Sequence, residues 1–145
     1  MREHAALCPI GSLSDAQERD PLAVYLVVCG PLGMSTGKIA AQAFQACQRL
    51  YAAAADDPEL QDALAEWEAE GTRTCTRLAE TQHVFDRLCD EVPGAVMVDE
   101  GLNEVEPDTA TVFASWPMRR SALPTALRHK RCATMRDPTP TPIAA

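Results

Sequence analysis

The chain has 145 residues, 46% of them apolar, and a formal net charge of −8, which suits one globular domain with one core and argues against indiscriminate binding of polyanions. No apolar run approaches the ~20 residues needed to cross a bilayer, and the first twenty residues lack the long apolar centre of a signal peptide. The six cysteines form no C-x-x-C pair and no zinc spacing, so the expectation is a cytoplasmic protein with reduced thiols, no membrane partner, no metal and no other cofactor.

Residues 1–20 read as a flexible lead-in. "AVYLVVC", residues 23–29, is a β-branched and aliphatic run bounded by proline and glycine, which predicts a buried strand. "GPLGMSTGKIAAQ", residues 30–42, follows it. A nucleotide-binding P-loop needs a glycine five positions before Gly37 and a Ser or Thr after the lysine. Leu32 and Ile39 stand there instead, so nucleotide hydrolysis is excluded. What survives is a glycine and a lysine at the amino end of a helix, where free backbone N–H groups favour anions.

That helix is predicted over residues 37–55, with Ser35 or Thr36 as its cap. Ile39, Ala43, Ala46, Leu50 and Ala54 recur at three and four and form its inner face. Lys38, Gln42, Gln45 and Arg49 recur at the same spacing and form a polar ridge. "DDPELQDALAEWEAEG" gives a second helix with Pro58 in its first turn, an apolar stripe of Leu60, Leu64 and Trp67, and Gly71 at its end. "TRTCTRLA" alternates and reads as a partly exposed strand. "ETQHVFDRLCDEV" is a third helix, packing through Val84, Phe85, Leu88 and Val92. "AVMVD" is a strand ending at Asp99, and after a turn "TATVFASW" is another. A last helix over 119–131, interrupted at Pro124, leads to a disordered proline-rich tail at 132–145.

Strands alternating with helices predict an α/β fold, a three-layer α/β/α single domain over residues 21–131 with a four-stranded mixed, mainly parallel sheet and helices on both faces. In such sheets ligands sit beyond the carboxyl ends of the strands. The loop before Lys38 and the turn after Asp99 both reach that edge. Charge is segregated along the chain: residues 51–100 hold 13 acids against 3 bases, residues 101–145 hold 4 against 6, and residues 21–50 carry only Lys38 and Arg49. The lysine-bearing helix and the later arginines can therefore share a phosphate-accepting face; a solvated basic tail is the plainer alternative.

The motifs carry more than pattern. "GMSTGKIAAQAFQACQ" after a first strand, then "MVDEGLNEVEPDTATVFASWP" about 60 residues later, resembles the type-two peptidyl-tRNA hydrolase family. Its signature is M-x-x-G-K-I-A-A-Q-x-x-H-A followed by D-A-G-x-T-x-x-x-P-G-T-x-T-V before a last strand. The resemblance covers roughly residues 22–130. It places the family's lysine on Lys38, its acid on Asp99 and its last threonine on Thr111. Gly37, Gln42, Gly101, Pro107 and Thr109 also match. The departures are Gln45 for the helix histidine, Thr36 for a second basic residue, Leu102 for an arginine, Asn103 for a threonine and Asp108 for a glycine.

The resemblance implies hydrolysis of the ester between peptide and tRNA, with Lys38, Asp99, Thr111 and Asn103 as catalytic positions. It implies Gly37, Gln42, Gln45, Arg49, Thr109, Arg119 and Arg120 as substrate-binding positions, with Arg128, Lys130 and Arg131 adding contacts to the tRNA backbone. Peptidyl-tRNA is then the partner, and a homodimer fits the family. Lys38 would face the developing oxyanion or a phosphate, and Asp99 would orient the water or the lysine. Two alternatives stay open: a catalytically silent domain of the same fold that binds RNA or a protein, and a hydrolase of a smaller ester or amide. His4, His83 and His129 show no ligand or triad spacing.

Overall fold

Strand β1, Leu22–Cys29, is buried at every residue. Its odd and even side chains serve two different cores. Leu22, Val24, Leu26 and Val28 face one, and Ala23, Tyr25, Val27 and Cys29 the other. A strand covered on both faces reads as one unbroken apolar run, which is why it was legible in the sequence. The computed structural model describes residues 12–101 and 104–128.

Helices α2, Thr36–Ala54, and α3, Pro58–Ala69, cover the first face. Helices α4, Gln82–Glu91, and α5, Thr125–Arg128, cover the second, with Phe85, Leu88, Leu123 and Leu127 buried beneath them. The expected three layers are present. Local chemistry sets the helix starts: Ser35 accepts from Lys38 N–H at 3.2 Å, Asp57 caps α3, and Thr81 caps α4.

Strands β2, Thr74–Ala79, β3, Gly94–Asp99, and β4, Thr109–Ser115, join β1 in the order β2-β1-β4-β3. The two-residue β5, Met118–Arg119, pairs with the start of β1. β1 and β2 are parallel, and β4 is antiparallel to both β1 and β3. Three of the four long strands thus point one way, as expected for a mixed sheet. "Mainly parallel" holds for their direction and not for their pairing, because β4 enters between β1 and β3 and leaves β1–β2 the one parallel pair among the described strands.

Two sequence expectations change. Residues Asp15–Arg19, read as part of a loose lead-in, form a helix, α1. Ser14 and Gln17 close a reciprocal capping box at its start, and the Gln17 side chain bonds Glu70 at 3.0 Å. The single last helix is a 3-10 turn, Arg120–Ala122, and the short α5, separated at Leu123 and Pro124. The proline-rich tail lies outside the described residues.

Candidate active site

The first turn of α2 and the last residue of β3 meet at one edge of the sheet. Lys38 Nζ lies 2.9 Å from Asp99 Oδ1, and the two side chains are only 8% and 10% exposed. Residues 61 positions apart in sequence thus form one ion pair in a largely desolvated place. Two more donors complete the carboxylate's shell: Gln42 Nε2 donates to Oδ1 at 3.2 Å, and Gly101 N–H donates to Oδ2 at 3.0 Å. The Lys38 ammonium, together with the Gly101 and Gln42 donors, holds the Asp99 carboxyl below the ordinary carboxylate range. Asp99 is therefore an acceptor in neutral solution, aiming its donors, and not a proton donor.

Gln42 is itself fixed from behind. It is 3% exposed, and Thr111, on β4, is fully buried and shares its one hydroxyl proton between Gln42 Oε1, the nearer acceptor, and the Met97 carbonyl at 3.2 Å. A carboxylate can only accept, so the Gln42 amide must turn its NH2 toward Asp99 and its oxygen toward Thr111. The same NH2 donates to Gln45 Oε1 at 3.0 Å. Gln45, standing where the family motif has histidine, thereby extends the hydrogen-bond chain Thr111–Gln42–Asp99–Lys38.

The turn after β3 supports this arrangement. Gly101 has φ +77°, and a Cβ there would lie 2.4 Å from Pro107 N, so both its left-handed backbone and its lack of a side chain are required. Asp108 N–H returns to the Asp99 carbonyl at 2.8 Å, and Thr109 Oγ1 donates to Glu106 O at 2.6 Å. Asp108, where the motif has glycine, adopts φ +59°, a conformation that Asp tolerates better than most residues.

Not every expected residue arrives here. Lys38, Gly37, Gln42, Gln45 and Asp99 line one pocket of about 470 Å³ together with Ser35, Ala41 and Glu104. Gln45 and Asp99 also border a second groove of about 470 Å³, which Arg49 lines. Thr111 reaches neither, because its hydroxyl is spent on Gln42 and Met97. Thr109 braces the turn. Asn103 and Leu102 lie outside the described residues, as do Lys130, Arg131, His4 and His129. Arg119 and Arg120 are at the other end of the sheet: Arg119 pairs with Leu22, the first residue of β1. An eight-residue strand puts roughly 25 Å between them and Asp99. Arg119 is also committed, to Glu70 at 2.6 Å and Glu66 at 2.7 Å. Arg120 borders a separate cleft with Arg19, Asp20, Ser121 and Arg128.

One contact gave no sequence signal. The Glu104 carboxylate accepts from Ser35 N–H at 2.8 Å and from the Ser35 hydroxyl, tying the turn after β3 to the cap of the helix that carries Lys38. Those two bonds, and then the Lys38 charge, hold Glu104 below its usual range. Burial pushes the Cys29 and Cys47 thiols up and takes Cys89 to about 11, so none is a ready thiolate. Among the described residues no cluster of His, Cys, Asp and Glu could hold a metal, and no helix is long and apolar enough to cross a membrane.

Compared with protein families, residues 22–131 match the model of Peptidyl-tRNA hydrolase PTH2. The chain belongs to that family. The match spans β1 through α5, so the Lys38–Asp99 pocket, the turn after β3 and the Thr111–Gln42 support all fall inside the PTH2 region. No curated protein matches the chain.

Proposed function

We propose that this PTH2-family chain hydrolyses the ester between the peptide's carboxyl end and the terminal ribose of tRNA, releasing tRNA for reuse, and that the Lys38–Asp99 pair is its catalytic centre. The observation that carries this reading is the pair itself: a lysine and a carboxylate at hydrogen-bond distance, nearly dry, opening into a pocket and braced by residues from α2, β3 and β4. Water adds to the ester carbonyl, and charge develops on the carbonyl oxygen. Lys38, aimed by Asp99, offers that oxygen a positive donor in a place where water screens it little. Collapse of the tetrahedral adduct breaks the bond to the ribose oxygen, and the proton lost by the attacking water ends on that oxygen. Gln42 holds the carboxylate, Gln45 accepts from Gln42, and both border the pocket. The proposal takes the cytoplasm, where translation supplies this substrate, as the place of action.

The test is incubation of purified protein with N-acetyl-aminoacyl-tRNA and measurement of deacylated tRNA. Turnover well above buffer supports the proposal. tRNA bound without turnover would favour the silent binder, and neither binding nor turnover would turn attention to a smaller ester or amide.

A further inference from the structure

β3 is the last strand of the sheet: β4 flanks it on one side, and no described strand flanks it on the other. Its outward N–H and C=O groups are therefore a template for one more extended chain. The second groove runs along this edge. Gln45, Gln48, Arg49 and Ala52 of α2 form one wall, and Met97, Val98, Asp99 and Glu100 the other. It joins the Lys38 pocket at Gln45 and Asp99. Val98 is 41% exposed, and the β3–β4 register shifts between Met97 and Val98, the kind of irregularity that re-aims a strand beside an active site.

Charge separates the two cavities. Arg49 and Glu100 give the groove lining one charge of each sign, and Asp99 is neutralised by Lys38, so it suits a neutral chain better than a polyanion. Length fits too. α2 advances about 10 Å from Gln45 to Ala52 at 1.5 Å per residue, and β3 about 10 Å from Met97 to Glu100. Both walls match about three extended residues. Resting on the reading that the ester is cut at Lys38–Asp99, we infer that this groove takes the last three or so residues of the peptide as an added strand on β3. With the peptide's carboxyl carbon at Asp99, which ends β3, the peptide runs parallel to β3. Main-chain pairing of this kind recognises any sequence, as a hydrolase acting on diverse peptides requires.

The experiment compares kcat/KM for one tRNA esterified with N-acetyl-alanine, -dialanine, -trialanine and -hexa-alanine. The expected result is a rise of about ten- to a hundredfold up to three or four residues, from two or three main-chain hydrogen bonds, and then a plateau. Ala52→Trp, at an exposed helix position, fills the groove. It should abolish the rise while leaving the single-residue substrate unchanged, with helicity checked by circular dichroism. N-methylated alanines in the peptide, which remove the donors without touching the protein, should abolish the rise too. Equal rates at all lengths, or a rise that survives both changes, would overturn the groove assignment alone. No hydrolysis of any substrate would overturn the ester-site reading and the groove with it.

Discussion

Thr111→Val tests whether the buried chain behind Asp99 works as described. Valine keeps the shape and removes the hydroxyl that serves Gln42 Oε1 and the Met97 carbonyl. Thr111 is fully buried and Gln42 is 3% exposed, so water does not replace the lost donor. An orphaned buried acceptor costs about 1–3 kcal/mol, offset in part by the more apolar valine, for a net loss of about 1–2 kcal/mol. For a domain of this size that is a fall in Tm of about 4–10 °C. Gln42, released from behind, holds Asp99 less well, and kcat/KM should fall about tenfold with KM little changed. Thr111→Ser restores the donor and should recover most of the rate. The assays are thermal unfolding by circular dichroism and release of deacylated tRNA. If Val matches wild type in both, or if Ser is as impaired as Val, packing and not the hydroxyl explains the residue, and the positioning argument fails.

Three further outcomes follow. Asp108→Gly relieves a left-handed backbone at φ +59° and should raise stability by up to about 1 kcal/mol in urea unfolding; a clear loss would mean the aspartate side chain itself holds the turn. Arg119→Gln breaks the pairs with Glu66 and Glu70 and should destabilise by about 1–2 kcal/mol while leaving tRNA affinity alone, whereas Arg120→Ser with Arg128→Ser, in the exposed cleft, should flatten the salt dependence of tRNA binding if phosphates reach that end; a salt slope that drops for Arg119→Gln instead would reverse the assignment. On pH, the Asp99 carboxyl is depressed by Lys38 first, so the stability the pair adds is present above the ordinary carboxylate pKa of about 4 and is lost as pH falls through the lower folded value. Gln42→Leu removes one donor, raises the Asp99 pKa and should move the acid limb of kcat/KM upward; an unmoved or lowered limb would contradict it.

The elements were legible where local chemistry decides them. β1 announced itself as an apolar run, α2 by its period and Ser35 cap, and the turn at Gly101 and Pro107 by its residues. The capping box at Ser14 and Gln17 stands in the sequence, but a short helix without buried residues leaves no periodic stripe to mark it. Long-range partners were not legible. Nothing local tells β4 to enter between β1 and β3, or Thr111 to reach Gln42, or Glu104 to reach Ser35 69 residues away. The motif resemblance put Lys38 and Asp99 together, and their contact follows from the sheet order. The Arg119 ion pairs were not legible either, because the partners, Glu66 and Glu70, lie some fifty residues back in the acidic helix α3 and the residue that caps it.

The central claim is that Lys38 stabilises the transition state. Its most direct measurement is kcat for release of deacylated tRNA from N-acetyl-aminoacyl-tRNA by Lys38→Ala, beside wild type, with both proteins shown to be folded by circular dichroism. Loss of an oxyanion donor predicts a fall of about 10²–10³ in kcat. A folded Lys38→Ala protein that turns over at the wild-type rate would contradict the account.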